Sequence, residues 1–413
     1  MTFSAKAVGL VASPHSDSIR PLLSGVLSAA GLELVDADQP DFGPLAGVIE
    51  VSDARTEAIE GSRCGSWPSF RLRLADGWDE ARTVAFADSG TLPAVLRGRK
   101  VVTDVASDPF GTSMVGETLA ESLSGPLWTS STHGGHRHDT CLLPRPAVHE
   151  RSGLFDHLNG RSFMGFLPVI DWARSLAGWQ HWQKPPIRAC FMIDDPNLHA
   201  TRYGFVSYEG LAMEGSRHGF HTSLATVPLD QFYVSRAASD LLRKNTKVLS
   251  LLVHGNNHTH RELAGSETPS RRREMIRQAL ARIERLERKS GLSVARVMTP
   301  PHGACSAAMM STLAHAGFDA ACISHGSVHA ANSGQVWSSG LGADPVAVIN
   351  GLPVIPRFGL DRDMESQMLL SAYLGQPIVP MGHHWDFQDG VTALVNAADS
   401  IRKLGGLGRT CLR

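Results

Sequence analysis

The chain has 413 residues, a formal net charge of −1 at pH 7 and 42% hydrophobic residues, the composition of a folded protein rather than a disordered one. That near-neutral balance gives no electrostatic footing for nucleic acid or an anionic membrane surface. No run of about 18 consecutive apolar residues occurs, so no transmembrane helix is expected.

The N-terminal apolar patch is too short for the core of a secretory leader and reads as a first strand, so the cytoplasm is the expected location. Strand KAVGLVA, glycine-closed helix SIRPLLSGVLSAAG and strands LELVDA and LAGVIEVS follow one another, with further strands in RTVAFAD and RKVVTDV. This alternation predicts a small open parallel sheet over residues 1–150, a domain whose role the sequence leaves open. It carries no GxGxxG or P-loop pattern, so nucleotide binding is not supported. Residues 125–150, with the run HGGHRH, read as a long glycine- and histidine-rich connection. Residues 151–186 read as a connecting amphipathic helix and linker, FMGFLPVIDWARSLAGWQHW, ended by Pro185-Pro186.

From 187 to 413 the alternation resumes: strands IRACFMI, HTSLATV, KVLSLLV, ARVMTP, FDAACIS, VAVING, LPVIPRF and QPIVPMG, with helices between them. The longest helix, SRRREMIRQALARIERLERKSG, places Met275, Ala279, Ile283 and Leu286 at helical spacing. At least six strands with intervening helices suit a (β/α) barrel or a distorted variant of one. The six cysteines, Cys64, Cys141, Cys190, Cys305, Cys322 and Cys411, are scattered without a CxxC pair. That favours free, buried thiols over a disulfide framework or a cysteine zinc site.

The chemically capable residues fall at predicted strand ends. Asp194-Asp195 follow IRACFMI, His254 and His258 follow KVLSLLV, and Pro300-Pro301-His302 follow ARVMT. Arg357 follows LPVIP, and His383-His384 follow PIVPMG. In a parallel barrel these ends share one face. His254 and His258, on a helical turn, would lie on one side and could grip one cation. A carboxylate would complete a set of two histidines and one acid, which suits several divalent metals and lowers the pKa of bound water to about 7. Two adjacent aspartates can divide the work, one ligating and one acting as base. Taken singly, each item has a plainer reading: a DD pair is often a turn, HxxxH is often surface or core, and PPHG and HHWD are often packing. Their joint arrival at strand ends of one domain is what favours chemistry.

Together FMIDDPN, HGNNH, TPPHG and PMGHHWD resemble the motifs of the polysaccharide deacetylase family, carbohydrate esterases built on a deformed (β/α) barrel. The resemblance covers roughly residues 187 to 400. It implies Asp194 as general base, Asp195, His254 and His258 as ligands of a divalent metal, usually zinc, and His383, or else His384, as the acid. The family's first motif has glycine after DD, where this chain has Pro196-Asn197. Its third motif begins with an arginine that tethers the base, where this chain has Thr299. By position, Arg357 could supply that guanidinium. His302, His384 and Arg202 are candidates for contacting substrate, with Tyr203, Tyr208 and a spare histidine, His260, nearby.

The implied function is a metal-dependent deacetylase or amidohydrolase acting on an N-acetylated sugar or related small molecule. Two rivals stay open: a non-catalytic carbohydrate-binding or regulatory protein on the same scaffold, and a metal-dependent hydrolase or lyase of another C–N bond. The expected partner is a small N-acylated molecule such as an amino sugar or glycoside, not nucleic acid or membrane. The oligomeric state, a homo-oligomer included, is left open.

Overall fold

A computed structural model describes residues 6–37, 45–54, 67–107, 114–145, 153–178, 185–265, 267–333, 335 and 340–405. Cys64, Cys411 and the helix end read at 179–182 lie outside the described residues. The chain divides into two compact units: Met1–Lys184 with Val336–Asp344, and Pro185–Gln335 with Pro345–Arg413.

The first unit holds β1 (Lys6–Leu10), α1 (Ser16–Ala29), β2 (Leu32–Asp36), β3 (Gly47–Asp53), β4 (Ser69–Ala75), β5 (Gly77–Phe86), β6 (Lys100–Ser107), β7 (Glu117–Ser122), β8 (Gly125–His133), β9 (His136–Pro144) and α2 (Leu167–Leu176). One sheet runs β2-β1-β3-β4-β9-β8-β7-β5-β6. Its first five strands are parallel and the others pair antiparallel, so it is mixed and larger than the small parallel sheet expected. The difference lies largely at 125–144. HGGH is not part of a connection but a two-residue hairpin turn, with Gly134 and Gly135 at φ +58° and +81°. Both central residues need positive φ in such a turn, which two glycines supply without steric cost. The flanking strands bury Trp128 and Cys141 completely. α2 is preceded by a separate short 3₁₀ turn, Phe163–Gly165, and is buried from Leu167 to Ala173.

The second unit holds β10 (Phe191–Asp194), β11 (Arg202–Tyr203), β12 (Val206–Ser207), α3 (Tyr208–His218), β13 (Thr222–Thr226), α4 (Arg236–Lys244), β14 (Leu249–Val253), α5 (Pro269–Ser290), β15 (Val294–Met298), α6 (Ala307–His315), β16 (Ala320–Cys322), α7 (His325–Ala331), β17 (Ala347–Ile349), β18 (Leu352–Ile355), β19 (Phe358–Gly359), α8 (Met364–Leu374), β20 (Pro380–Gly382) and α9 (Thr392–Lys403). Its main sheet runs β17-β18-β16-β15-β14-β13-β10-β20-β19 and is parallel apart from the β17–β18 hairpin. Met192, Ala225, Leu252, Val297, Cys322, Ile355 and Val379, from seven different strands or their ends, form one buried cluster. Strands that are not neighbours can share one cluster only if the sheet curls around it. The edges β17 and β19 are not hydrogen-bonded to each other, so the sheet is a curled half-barrel with an open seam.

Each helix start is fixed locally. Ser207, Thr268, Ser235, Ser306 and Ser324 cap α3, α5, α4, α6 and α7, each side-chain oxygen accepting a backbone N–H of the first turn. Gly219 and Gly291, at φ +67°, close α3 and α5. The buried stripe of α5 is Ile276, Ala279, Ile283, Leu286 and Ser290; Met275, expected in it, is only half-buried. The strands of the parallel sheet all point one way, so the loops that follow them gather at one end. Cys141, Cys190, Cys305 and Cys322 are free and buried. No helix among the described residues is long and apolar enough to cross a membrane.

Candidate metal centre

β10 is buried along its whole length, as a strand of a two-faced parallel sheet must be. Alternation puts Asp194 on the side of Met192, and the guanidinium of Arg357 faces both: its Nη1 is 3.4 Å from the Met192 sulfur. Asp195 would then point to the opposite face. It does not, because its φ is +72°, a left-handed conformation that aspartate tolerates better than most residues. The chain is held there from both sides. Pro196 follows, Asn197 Oδ1 accepts the backbone N–H of His199, and the Tyr208 hydroxyl donates to the Asn197 carbonyl. Pro196-Asn197 thus form the anchored turn that swings the second carboxylate back towards the first.

The carboxylate of Asp195 meets two imidazoles. Its Oδ1 lies 3.1 Å from His254 Nε2 and 3.0 Å from His258 Nε2. His254 and His258 are not on a helical turn, as their spacing suggested. They sit on an irregular loop after β14, in which Gly255, His258 and His260 have φ of +65°, +57° and +48°. Glu262 stabilises that loop. Its carboxylate accepts the backbone N–H groups of Asn256, Asn257 and His258 at 2.6, 3.1 and 3.1 Å. Arg282 adds hydrogen bonds to the side-chain oxygens of Asn256 and Asn257, both at 2.7 Å. Successive N–H groups converging on one anion form a nest, here filled by the chain's own carboxylate.

Thr299 stands where the family resemblance places an arginine. Its carbonyl is 2.7 Å and its hydroxyl 2.8 Å from His254 Nδ1. A carbonyl can only accept, so Nδ1 carries the proton and Nε2 presents its lone pair to the centre. Two acceptors, Nε2 of His254 and Oδ1 of Asp195, therefore face each other. Oδ1 of Asp195 is buried and has no hydrogen-bond partner. The Asp195, His254 and His258 ligand atoms all lie within 4.8 Å of one another, the one such group among the described residues. Two imidazole nitrogens and a carboxylate oxygen with no proton to share fit a divalent first-row cation. Burial raises the pKa of Asp195, but His254, His258 and His383 outweigh it and hold the carboxyl below the usual range. It is charged at neutral pH, as a ligand must be.

The other expected residues divide. Arg357 and Asp194 are both buried, and Nη1 of Arg357 is 3.0 and 2.8 Å from the two carboxylate oxygens. His383 Nε2 is 4.0 Å from Asp195 Oδ2, on the rim of the centre, and its backbone N–H donates to Asp386. His384 turns the other way, its ring 5.3 Å from that of Tyr203 and 4.6 Å from that of Trp385. His302 is exposed, at φ +54°, with its ring 5.2 Å from that of His258. Arg202 is exposed and donates to the Gly204 carbonyl at 3.0 Å; it makes no ion pair among the described residues. His260 is exposed and outside the cluster. Sequence reasoning missed the nest of Glu262 and the partnership of Thr299 with His254. The only signal for the first was an acid a few residues after HGNNH; the second runs through a carbonyl and leaves no signal.

No protein-family model matches the sequence, and no curated protein matches it. Among solved structures, the chain is similar to a family 4 carbohydrate esterase from Streptomyces lividans in complex with acetate, at 12% identity over 55% of this chain and 98% of that one, with a TM-score of 0.33. It is similar to the Xyl-CE4 domain of a multidomain xylanase from the hindgut metagenome of Trinervitermes trinervoides, at 11% identity over 53% and 82%, with a TM-score of 0.30. It is also similar to a β-methylaspartase from Clostridium tetanomorphum in its Mg complex, at 9% identity over 75% and 84%, with a TM-score of 0.29. All three scores are low, so the chemistry of the centre rests on its own residues.

Proposed function

We propose that the second unit is a metal-dependent hydrolase of amide C–N bonds, a deacetylase of an N-acetylated amino sugar or related small molecule. The observation that carries this reading is the pairing of two unlike carboxylates. Asp195 faces two imidazole nitrogens, while Asp194, next in the chain, is sequestered against Arg357. A site for binding alone has no use for the second carboxylate. Asp195, His254 and His258 would hold the cation, with zinc the first choice for that donor set. Such a cation supplies Lewis acidity, polarising an acyl oxygen and making water acidic enough to ionise near neutral pH.

The remaining work belongs to the chain. Asp194 accepts the proton of the attacking water, and the bond from Arg357 keeps its carboxylate oriented and charged in a buried position. His254 is held in one tautomer by Thr299. His383, on the open rim, delivers a proton to the departing amine nitrogen. His302, beside His258, lies where it can contact the acyl group.

The test is metal content by elemental analysis, together with acetate and amine release from N-acetylated sugars. Stoichiometric metal in the wild type, lost in His254→Ala, and turnover abolished by Asp194→Asn with metal retained, are expected. Metal-free wild type, or Asp194→Asn with full activity, would overturn the reading.

A further inference from the structure

In the second unit every exposed large aromatic side chain among the described residues stands beside the candidate metal centre. They are Phe205, Phe232, Tyr233 and Trp385, at 38, 70, 55 and 62% exposure, with Leu229 at 42%. They form two groups. Phe205, at the tip of the β11–β12 hairpin, lies 5.3 Å from Trp385 and 6.0 Å from His384, ring to ring. Phe232 and Tyr233, after β13, lie 5.2 and 5.9 Å from the ring of His199.

The sheet order decides where these groups sit. β10, which ends in the two aspartates, lies between β13 and β20. One group follows β13 and the other includes the residues that follow β20, so they flank the carboxylates on opposite sides. Both are tied to the centre. The Leu229 N–H donates to the Asn256 carbonyl in the metal-ligand loop, and Trp385 is two residues from His383. Both are also supported from beneath. His199 Nε2 is 2.7 Å from the Asp230 carbonyl, and Gly204, at φ +53°, lets the hairpin press on His384, where an added Cβ would collide with Nδ1. Held rings left open to water lose free energy that a ligand recovers on covering them.

We infer that the two aromatic groups are shelves for one ligand that carries a flat, weakly polar ring on each side of the bond at the metal centre. This rests on the amide-hydrolase reading and narrows it: the acyl nitrogen joins ring-bearing halves, and simple N-acetyl alkylamines are poor ligands. A pyranose with its C–H face and an aryl group with its π face share this chemistry. Trp385→Ala and Phe232→Ala remove exposed side chains, so both variants should fold.

The experiment measures calorimetric Kd and initial rates on zinc-loaded protein for N-acetylglucosamine trimer, 4-nitroacetanilide and N-butylacetamide. Expected are tighter binding of a ring-bearing probe than of the alkyl amide, and Kd raised about two- to tenfold by each variant. The effects should multiply in the double variant, since one ligand covers both shelves. Which of the trimer and the anilide binds more tightly assigns the ring type. Equal Kd for all three probes, or Kd unchanged in both variants, would overturn the shelves, as would binding of phosphatidylcholine vesicles in place of any ring-bearing probe. Ring-dependent binding without turnover would instead overturn the hydrolase reading and leave the shelves standing.

Discussion

A carboxylate and a guanidinium buried together, as Asp194 and Arg357 are, each carry a desolvation cost that only the partner offsets. Arg357→Ala should therefore cost about 3–5 kcal/mol of stability, read by urea unfolding, because it strands a buried charge. Arg357→Lys should recover part of the stability but less of the rate, since a point charge does not orient two oxygens as a planar fork does. Thr299 acts on a different residue. Thr299→Val keeps the carbonyl and removes the hydroxyl, so zinc affinity should fall about tenfold, the low end for losing a partner of a metal-ligating histidine. Isothermal titration with zinc checks this, and an unchanged affinity would show that the carbonyl alone sets the tautomer. These relations differ in how visible they are in a sequence. The aspartate pair is legible because its chemistry needs that residue type where an apolar strand stops. Arg357 is legible because it too follows an apolar strand. The Thr299 bond is not, because a backbone carbonyl is the same at every position.

At the scale of elements, the loop from His254 to Glu262 joins β14 to the region before α5 and holds two non-glycine residues in the left-handed region. Such residues persist only where their surroundings hold them, and three N–H bonds to Glu262 do so. Glu262→Gln keeps the shape and removes the charge. Zinc affinity should fall about tenfold through a misplaced His258, with a smaller loss for His254, whose own anchor is intact. Metal-dependent chemical shifts of the two imidazoles would separate the cases. Helical spacing misdescribed this loop, because an i, i+4 histidine pair does not reveal that Gly255 breaks the turn. The hairpin at Gly134-Gly135 was missed for a related reason. Its strands HRHDTCLLP and GPLWTSSTH are polar near the turn, so the apolar alternation begins too late to stand out. Strands buried on both faces, such as β10 and β13, are by contrast plain in the sequence, since every residue in them is apolar, small or hydroxyl-bearing up to the catalytic end.

For the whole molecule, burial lowers the pKa of three histidines, His157 and His221 in direction and His325 to about 4. Their unfolded forms bind protons first, near pH 6.5. Acid therefore favours the unfolded chain. The stability these groups contribute is present above about pH 6.5 and, for His325, is lost progressively down to about 4. Urea midpoints should fall between pH 7.5 and 5, and His325→Gln should flatten part of that fall. A midpoint independent of pH in this range would contradict the burial of these rings. Since the chain forms two compact units, more than one transition is expected, and each should be followed separately.

The open seam of the curled sheet has a consequence for how the protein survives in a crowded solution. A closed barrel has no free strand edges, whereas this sheet has two, and free edges invite strands of other chains to pair with them. Here the edge strands are three and two residues long, β17 and β19. Neither is long enough to template a foreign strand, and Asn350-Gly351 turns the chain back at once beyond β17. The sheet can stay unclosed beside its metal centre because its borders are too short to recruit a partner.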